Sequence, residues 1–204
     1  MRHLKVHDYR VMAWKNGLGT TTEIAVHPPG SGLAGTPFTW RVSIADVPVS
    51  GPFSRFRGYD RTIMVIAGDA GMWLEGAPEG PIDLTQPFQP QRFSGDWEVT
   101  GRLLAGPLRD FNLMVERSRA TGAMSVRREP GLLRLAAPPG GEALLTVFSG
   151  EAETDRGDII AAGETLVVDS RETVEVIVRA GQSGSVAMAV IVVGPLPGDQ
   201  APAW

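Results

Sequence analysis

The chain has 204 residues, 19 Lys and Arg against 23 Asp and Glu, a formal charge of −4 and no cysteine. Without a basic stripe it offers no surface for direct nucleic-acid binding, and without thiols it has no disulfide, thiol catalysis or thiolate metal site. With 43% hydrophobic residues, 25 Gly and 16 Pro, the composition predicts an all-β fold of short strands and tight turns.

The first residues, MRHLKVHDYR, contain no apolar export segment, so a cytoplasmic location is expected. Val11 to Trp14 and Thr20 to Val26 are predicted strands. Between them, Asn16-Gly17 suits a tight hairpin turn. His27 to Pro37 is a loop by composition. Trp40 to Ala45 alternates, so Trp40, Val42 and Ile44 share one face and Arg41, Ser43 and Ala45 the other. Val49 to Tyr59 is expected to be turn and loop, with Phe53 and Phe56 folding back over apolar surface. Arg61 to Ala67 is an apolar strand after its first two residues, and Gly68 to Gly71 turn it into Met72 to Leu74. The only weak helical candidate is Arg117 to Arg128. The longest apolar run, Val186 to Val193, ends at Gly194-Pro195 and falls well short of the roughly 18 residues of a membrane span, so no membrane contact is expected.

The chain also repeats itself. An apolar strand from Ile63 with a Gly turn, short strands at Ile82 to Leu84 and Phe88 to Phe93, a strand from Trp97, and a last strand Asp110 to Val115 form one series. The same order returns at Leu144, Asp158 to Val168, Val174 to Val178 and Ala187 to Val193. This predicts two similar halves, 1–118 and 119–204, packed as one compact unit, with Leu132 to Leu135 as a strand crossing back. The first half is expected to hold a ligand pocket and the second to be structural.

Arg156-Gly-Asp ahead of Ala162-Gly-Glu-Thr-Leu-Val-Val resembles the second half of a cupin barrel, and the duplication resembles a bicupin with little helix. In the first half the likeness narrows. Trp14-Lys-Asn-Gly-Leu-Gly-Thr-Thr-Thr-Glu-Ile-Ala, Trp40-Arg-Val-Ser-Ile-Ala, Gly51-Pro-Phe-Ser-Arg-Phe-Arg-Gly-Tyr-Asp-Arg-Thr, Phe93-Ser-Gly-Asp and Asp110-Phe-Asn-Leu-Met together resemble the HutD/Ves family of small bacterial proteins. That resemblance implies a protein of histidine utilization, binding a pathway intermediate such as N-formylglutamate or urocanate. Gly17-Leu-Gly and Arg57 depart from the family pattern without touching a charged motif position.

Cupin metal chemistry needs clustered imidazoles and a carboxylate. The three His are His3, His7 and His27, with no His-x-His, so neither a metal nor another cofactor is expected. Gly17-Leu-Gly-Thr-Thr-Thr lacks the Lys and following helix of a phosphate loop, and no Gly-x-Ser-x-Gly elbow is present. What remains are polar groups on strands. Arg41 and Ser43 lie either on an exposed face or in a cavity. Asp110 and Asn112 likewise share a face opposite Phe111 and Leu113, whereas Ala187 to Val193 in the second half is apolar throughout. Arg61, after Asp60, is either half of a surface ion pair or a fork aimed at a carboxylate. The candidate ligand-binding set is Lys15, Asn16, Thr21, Glu23, Arg41, Ser43, Arg61, Asp110 and Asn112, with no catalytic residue assigned. Two functions fit: a non-enzymatic protein that binds a small carboxylate, or a metal-independent isomerase or hydrolase with Asp110 or Glu23 as base. A homodimer through edge strands is compatible with either.

Overall fold

Short alternating runs closed by Gly-rich turns become strands almost everywhere. The computed structural model describes residues 1–14, 17–32 and 36–197. In chain order they form β1 (Arg2–Leu4), a 3-10 turn (Val6–Asp8), β2 (Arg10–Ala13), β3 (Thr20–His27), β4 (Trp40–Val47), β5 (Gly51–Pro52), β6 (Tyr59–Ala67), β7 (Met72–Glu75), β8 (Ile82–Leu84), β9 (Gln91–Ser94), β10 (Thr100–Leu103) and β11 (Leu108–Glu116). Then follow β12 (Ala120–Arg127), β13 (Gly131–Ala136), β14 (Glu142–Ser149), β15 (Glu151–Thr154), β16 (Ile159–Ile160), β17 (Thr165–Val168), β18 (Thr173–Arg179) and β19 (Ala187–Pro195).

The strands form two units, Tyr9–Arg117 and a second made of Met1–Asp8 with the chain from Ser118 onward. The first eight residues, expected with the N-terminal half, therefore stand in the other unit. The cause is β1, whose Arg2, His3 and Leu4 pair with Val167, Leu166 and Thr165 of β17. Arg117 to Arg128 is not helical either. Arg117 to Arg119 turn the chain and β12 pairs along its length with β19. Alternating burial in β12 shows a period of 2, which overrides a weak helical pattern once a neighbouring strand is present.

In the Tyr9–Arg117 unit, a six-stranded sheet in the order β2-β3-β4-β11-β6-β9 faces a four-stranded sheet in the order β5-β10-β7-β8. Val47, Ile63, Val65 and Phe93 from the first meet Met72, Leu74 and Leu84 from the second. Each such side chain contributes about 1.5–3 kcal/mol when fully buried. The turn into β7 requires Gly71, which has φ +69° and passes so close to β8 that a Cβ would lie 2.3 Å from the Leu84 carbonyl oxygen.

The opposite face of the six-stranded sheet, with Trp40, Val42, Met64, Phe111, Leu113 and Val115, is buried as well. The central strands therefore have no solvent face, which removes the exposed alternative for Arg41 and Ser43.

The second unit repeats this plan. Its sheets run β1-β17-β14-β19-β12 and β13-β18-β15-β16, enclosing Ala143, Leu145, Val147, Val176 and Met188 among others. Leu132 to Leu135 lies in β13 and pairs with β18.

Candidate functional site

Three strands in a row bring the polar residues together. β11 sits between β4 and β6, with Asn112 paired to Ser43 on one side and Ile63 on the other. Met114 is likewise paired to Arg41 and Arg61, and Asp110 to Ala45 and Val65. Because alternate residues share a face, Arg41, Ser43, Arg61, Asp110 and Asn112 all stand on the face that carries Ile63 and Val65 into the core. Glu23 joins them through a bulge. β3 pairs Glu23 with Ser43 and then shifts register before Ala25 pairs with Val42, a device that re-aims side chains at the cost of one unpaired residue.

All six side chains are buried, Asp110 to 1% exposure and Arg41 to 2%. Ions in such a place need partners, since burying an uncompensated charge costs several kcal/mol. The partners here are incomplete. Arg41 Nε lies 3.1 Å from Glu23 Oε2, but its N–H does not point at that oxygen, so the two form an ion pair by distance without a hydrogen bond. Arg61 donates from Nη1 to the Ser54 carbonyl oxygen at 3.3 Å, while its Nε has no partner. Among the described residues, neither carboxylate oxygen of Asp110 has a hydrogen-bond donor, nor has Asn112 Oδ1.

Burial dominates the electrostatics. It pushes the Asp110 carboxyl up to about 7, against the pull of Arg61, with Asp46 adding to the rise. It lowers Arg61 to about 10, against the pull of Asp110 and with help from Arg41. Burial also lowers Arg41, opposed by Glu23. The site is thus a buried, charged row whose charges help one another only in part.

Aromatic rings cover Arg61. Its guanidinium carbon lies 4.8 Å from the Phe93 ring centre and 5.5 Å from both Phe53 and Phe56, within cation–π range. The fit depends on Gly101 in β10, where a Cβ would approach a Phe53 ring carbon to 2.6 Å. Asp60 does not form the surface pair with Arg61. It bonds Arg117 Nε at 3.0 Å instead, and Arg61, one residue along the strand, faces the other way.

Of the predicted residues, Glu23, Arg41, Ser43, Arg61, Asp110 and Asn112 come together. Thr21 lies on the same strand at the edge of the group, half-buried, its hydroxyl accepting from Trp14 Nε1 at 2.9 Å. Lys15 and Asn16 fall outside the described residues. Sequence reading missed Phe93 as a third ring, Ser54 as a backbone acceptor and Gly101 as the space for Phe53. A glycine inside a strand is the usual sign of close approach, and Gly101 was the one signal available.

Among the described residues no three His, Cys, Asp or Glu side chains cluster as metal ligands. His3 is engaged with Glu164 at 2.8 Å. A cavity of about 260 Å³ opens farther along the same strands, at Val47, Ala67 and Leu108. Its charged neighbours Asp46 and Arg109 pair with each other at 3.0 Å, and none of the buried polar group lines it.

The family model HutD matches residues 6–187. An uncharacterised 21.2 kDa protein of the hutC 3′ region in Pseudomonas putida is 48% identical over 118 residues, a match spanning 57% of this chain and 58% of that protein. Among solved structures, a conserved protein of unknown function from Pseudomonas aeruginosa PAO1 superposes with TM-score 0.80 at 33% identity, over 95% of this chain and 98% of that one. HutD from Pseudomonas fluorescens SBW25, in a formate condition, gives TM-score 0.77 at 34% identity, over 96% and 99%. A cupin 2 conserved barrel domain protein from Leptotrichia buccalis, at 14% identity and TM-score 0.55 over 89% and 92%, shares the fold alone. The two units are cupin-like, built as open sandwiches of facing sheets.

Proposed function

The chain belongs to the HutD family, and from that membership together with its buried arginines we propose that it is a non-enzymatic binding protein for a small carboxylate that modulates histidine utilization. The observation that carries this reading is Arg61: a guanidinium buried beneath three rings whose Nε has no partner among the described residues. A carboxylate meets such a fork with two parallel charge-assisted hydrogen bonds. Arg41 supplies a second positive charge that Glu23 balances only in part. The ligand is a pathway intermediate, N-formylglutamate or urocanate, both anions. The protein acts in the cytoplasm through its ligand or another protein, without touching nucleic acid.

A thermal-shift panel of formate, N-formylglutamate, urocanate, glutamate and histidine tests the reading. A ligand at 100 times its dissociation constant stabilises by about 2.7 kcal/mol, and Arg61→Ala should abolish that stabilisation. If no acid moves the melting curve, or the shifts survive Arg61→Ala, the reading is wrong.

The buried Asp110 carboxyl, whose oxygens have no partner among the described residues, favours a second reading, a metal-independent isomerase or hydrolase. Burial pushes this group up to about 7, where a general base works best at neutral pH. Turnover of the same panel, followed by NMR and lost in Asp110→Asn, would replace binding with catalysis.

A further inference from the structure

The buried atoms without partners are unequal in kind. Two are donors, Arg41 Nε and Arg61 Nε, while Glu23 Oε2, both Asp110 oxygens and Asn112 Oδ1 are acceptors. A bare carboxylate brings acceptors only. It can satisfy the arginines, but it leaves the acceptors dry and adds negative charge to a space that already holds Asp110. An unsatisfied buried polar group costs about as much as a lost hydrogen bond or more, so the ligand that fits this inventory carries hydrogens too.

The register gives the order of the two ends. Arg41 and Arg61 flank Met114, while Asp110 stands four residues back along β11 on the same face, with Asn112 between. At about 3.3 Å per residue, the backbone rows are roughly 13 Å apart. The arginine side chains span part of that distance, since Arg61 and Asp110 already act on each other electrostatically. The part of that spacing left between the side chains is the length of a short molecule. Two guanidinium groups are present, which disfavours a third cation.

We infer that this site selects small carboxylates that also carry an uncharged N–H donor, with the carboxylate at Arg61 and Arg41 and the N–H at Asp110. The inference rests on the carboxylate-binding reading above and deepens it. It makes Asp110 a specificity residue, and it gives a use to a buried carboxylate that no donor among the described residues reaches.

The test uses acids with the same heavy-atom skeleton in which an amide NH2 is replaced by CH3: oxamate against pyruvate, and succinamate against levulinate, measured by calorimetry alongside formate. In the wild type, the amide of at least one pair should bind about tenfold or more tighter than its methyl partner, the worth of one hydrogen bond to a charged group. In Asp110→Val that ratio should fall to about one. Asp110→Asn preserves the shape of the side chain and settles the question if the valine variant does not fold. It offers one acceptor in place of two and adds a donor, so the preference should drop to about threefold or less. Equal binding of amide and methyl acids by the wild type, as when internal water already serves the acceptors, would overturn the inference and leave the carboxylate reading standing. A preference undiminished in the Asp110 variants would also overturn it. If formate and all four acids fail to bind, or bind equally well to Arg61→Ala, this inference is overturned; the carboxylate reading fails with it only if N-formylglutamate and urocanate also leave the melting curve unmoved.

Discussion

Where β11 carries Asp110, β19 carries Met188. The match is fixed by a bulge that both units share: pairing of β6 with β11 slips between Val65 and Ala67, and pairing of β14 with β19 slips between Val147 and Ser149. Counting from it, Asn112 corresponds to Val190, and Arg61, which pairs with Met114, corresponds to Ala143, which pairs with Val192. One fold therefore encloses a charged interior in one unit and an apolar interior in the other. Buried polar groups in the second unit find partners, as where the Thr146 and Thr165 hydroxyls meet at 2.9 Å. In the first unit six buried side-chain atoms find none among the described residues. The difference teaches that the strand plan does not demand the charges. They stand there at a cost in stability, as is usual where strain serves a site.

The sharpest way to break this comparison is to move a charge across it. Met188→Asp places a carboxyl at the position equivalent to Asp110 but without an arginine, and should destabilise the protein by roughly 5 kcal/mol or more in urea unfolding. A loss below about 2 kcal/mol would mean that the second interior is less dry than its composition says.

Asp110→Asn sharpens the comparison from the other side. Its folded value near 7 stands above the ordinary 3.8, so the native state holds its proton longer than the unfolded chain does. The resulting stability is complete below about 4 and is lost as pH rises toward 7, with no further change beyond. The asparagine variant has no such proton, so its stability relative to the wild type should rise by up to about 4 kcal/mol between pH 4 and pH 8. Parallel unfolding curves at the two pH values check this, and a constant difference would show that Asp110 is already ionised with satisfied oxygens.

Leu145→Ala, at the position equivalent to Ile63, should cost about 3 kcal/mol by leaving a cavity. It should leave the carboxylate response of the thermal-shift panel in place. If that response vanished with the folded protein intact, the second unit would be more than structural support.

Much of this was legible in advance. Alternation in Trp40 to Ala45 and in Asp110 to Val115 placed the polar residues on common faces, and the order of strands and Gly turns disclosed the duplication that the sheet topologies share. Other parts were not legible, for reasons the residues make plain. Pairing of β1 with β17 joins positions about 160 residues apart, a contact no local pattern records. Glu23 reaches Arg41 only because a bulge shifts β3, and Phe93 covers Arg61 because β9 pairs with β6 across a long connection. Arg117 to Arg128 carried a weak helical pattern that the neighbouring β19 overrode.

The sequence by itself determined which residues travel together, because a strand has a period of 2 and a barrel half repeats its turns. Only the tertiary structure decided which of two faces turns inward around a site. Both faces of β4, β6 and β11 are buried, so hydrophobicity could not choose between them. The facing sheet β5-β10-β7-β8, packed against the face that carries Ile63 and Val65, made that choice.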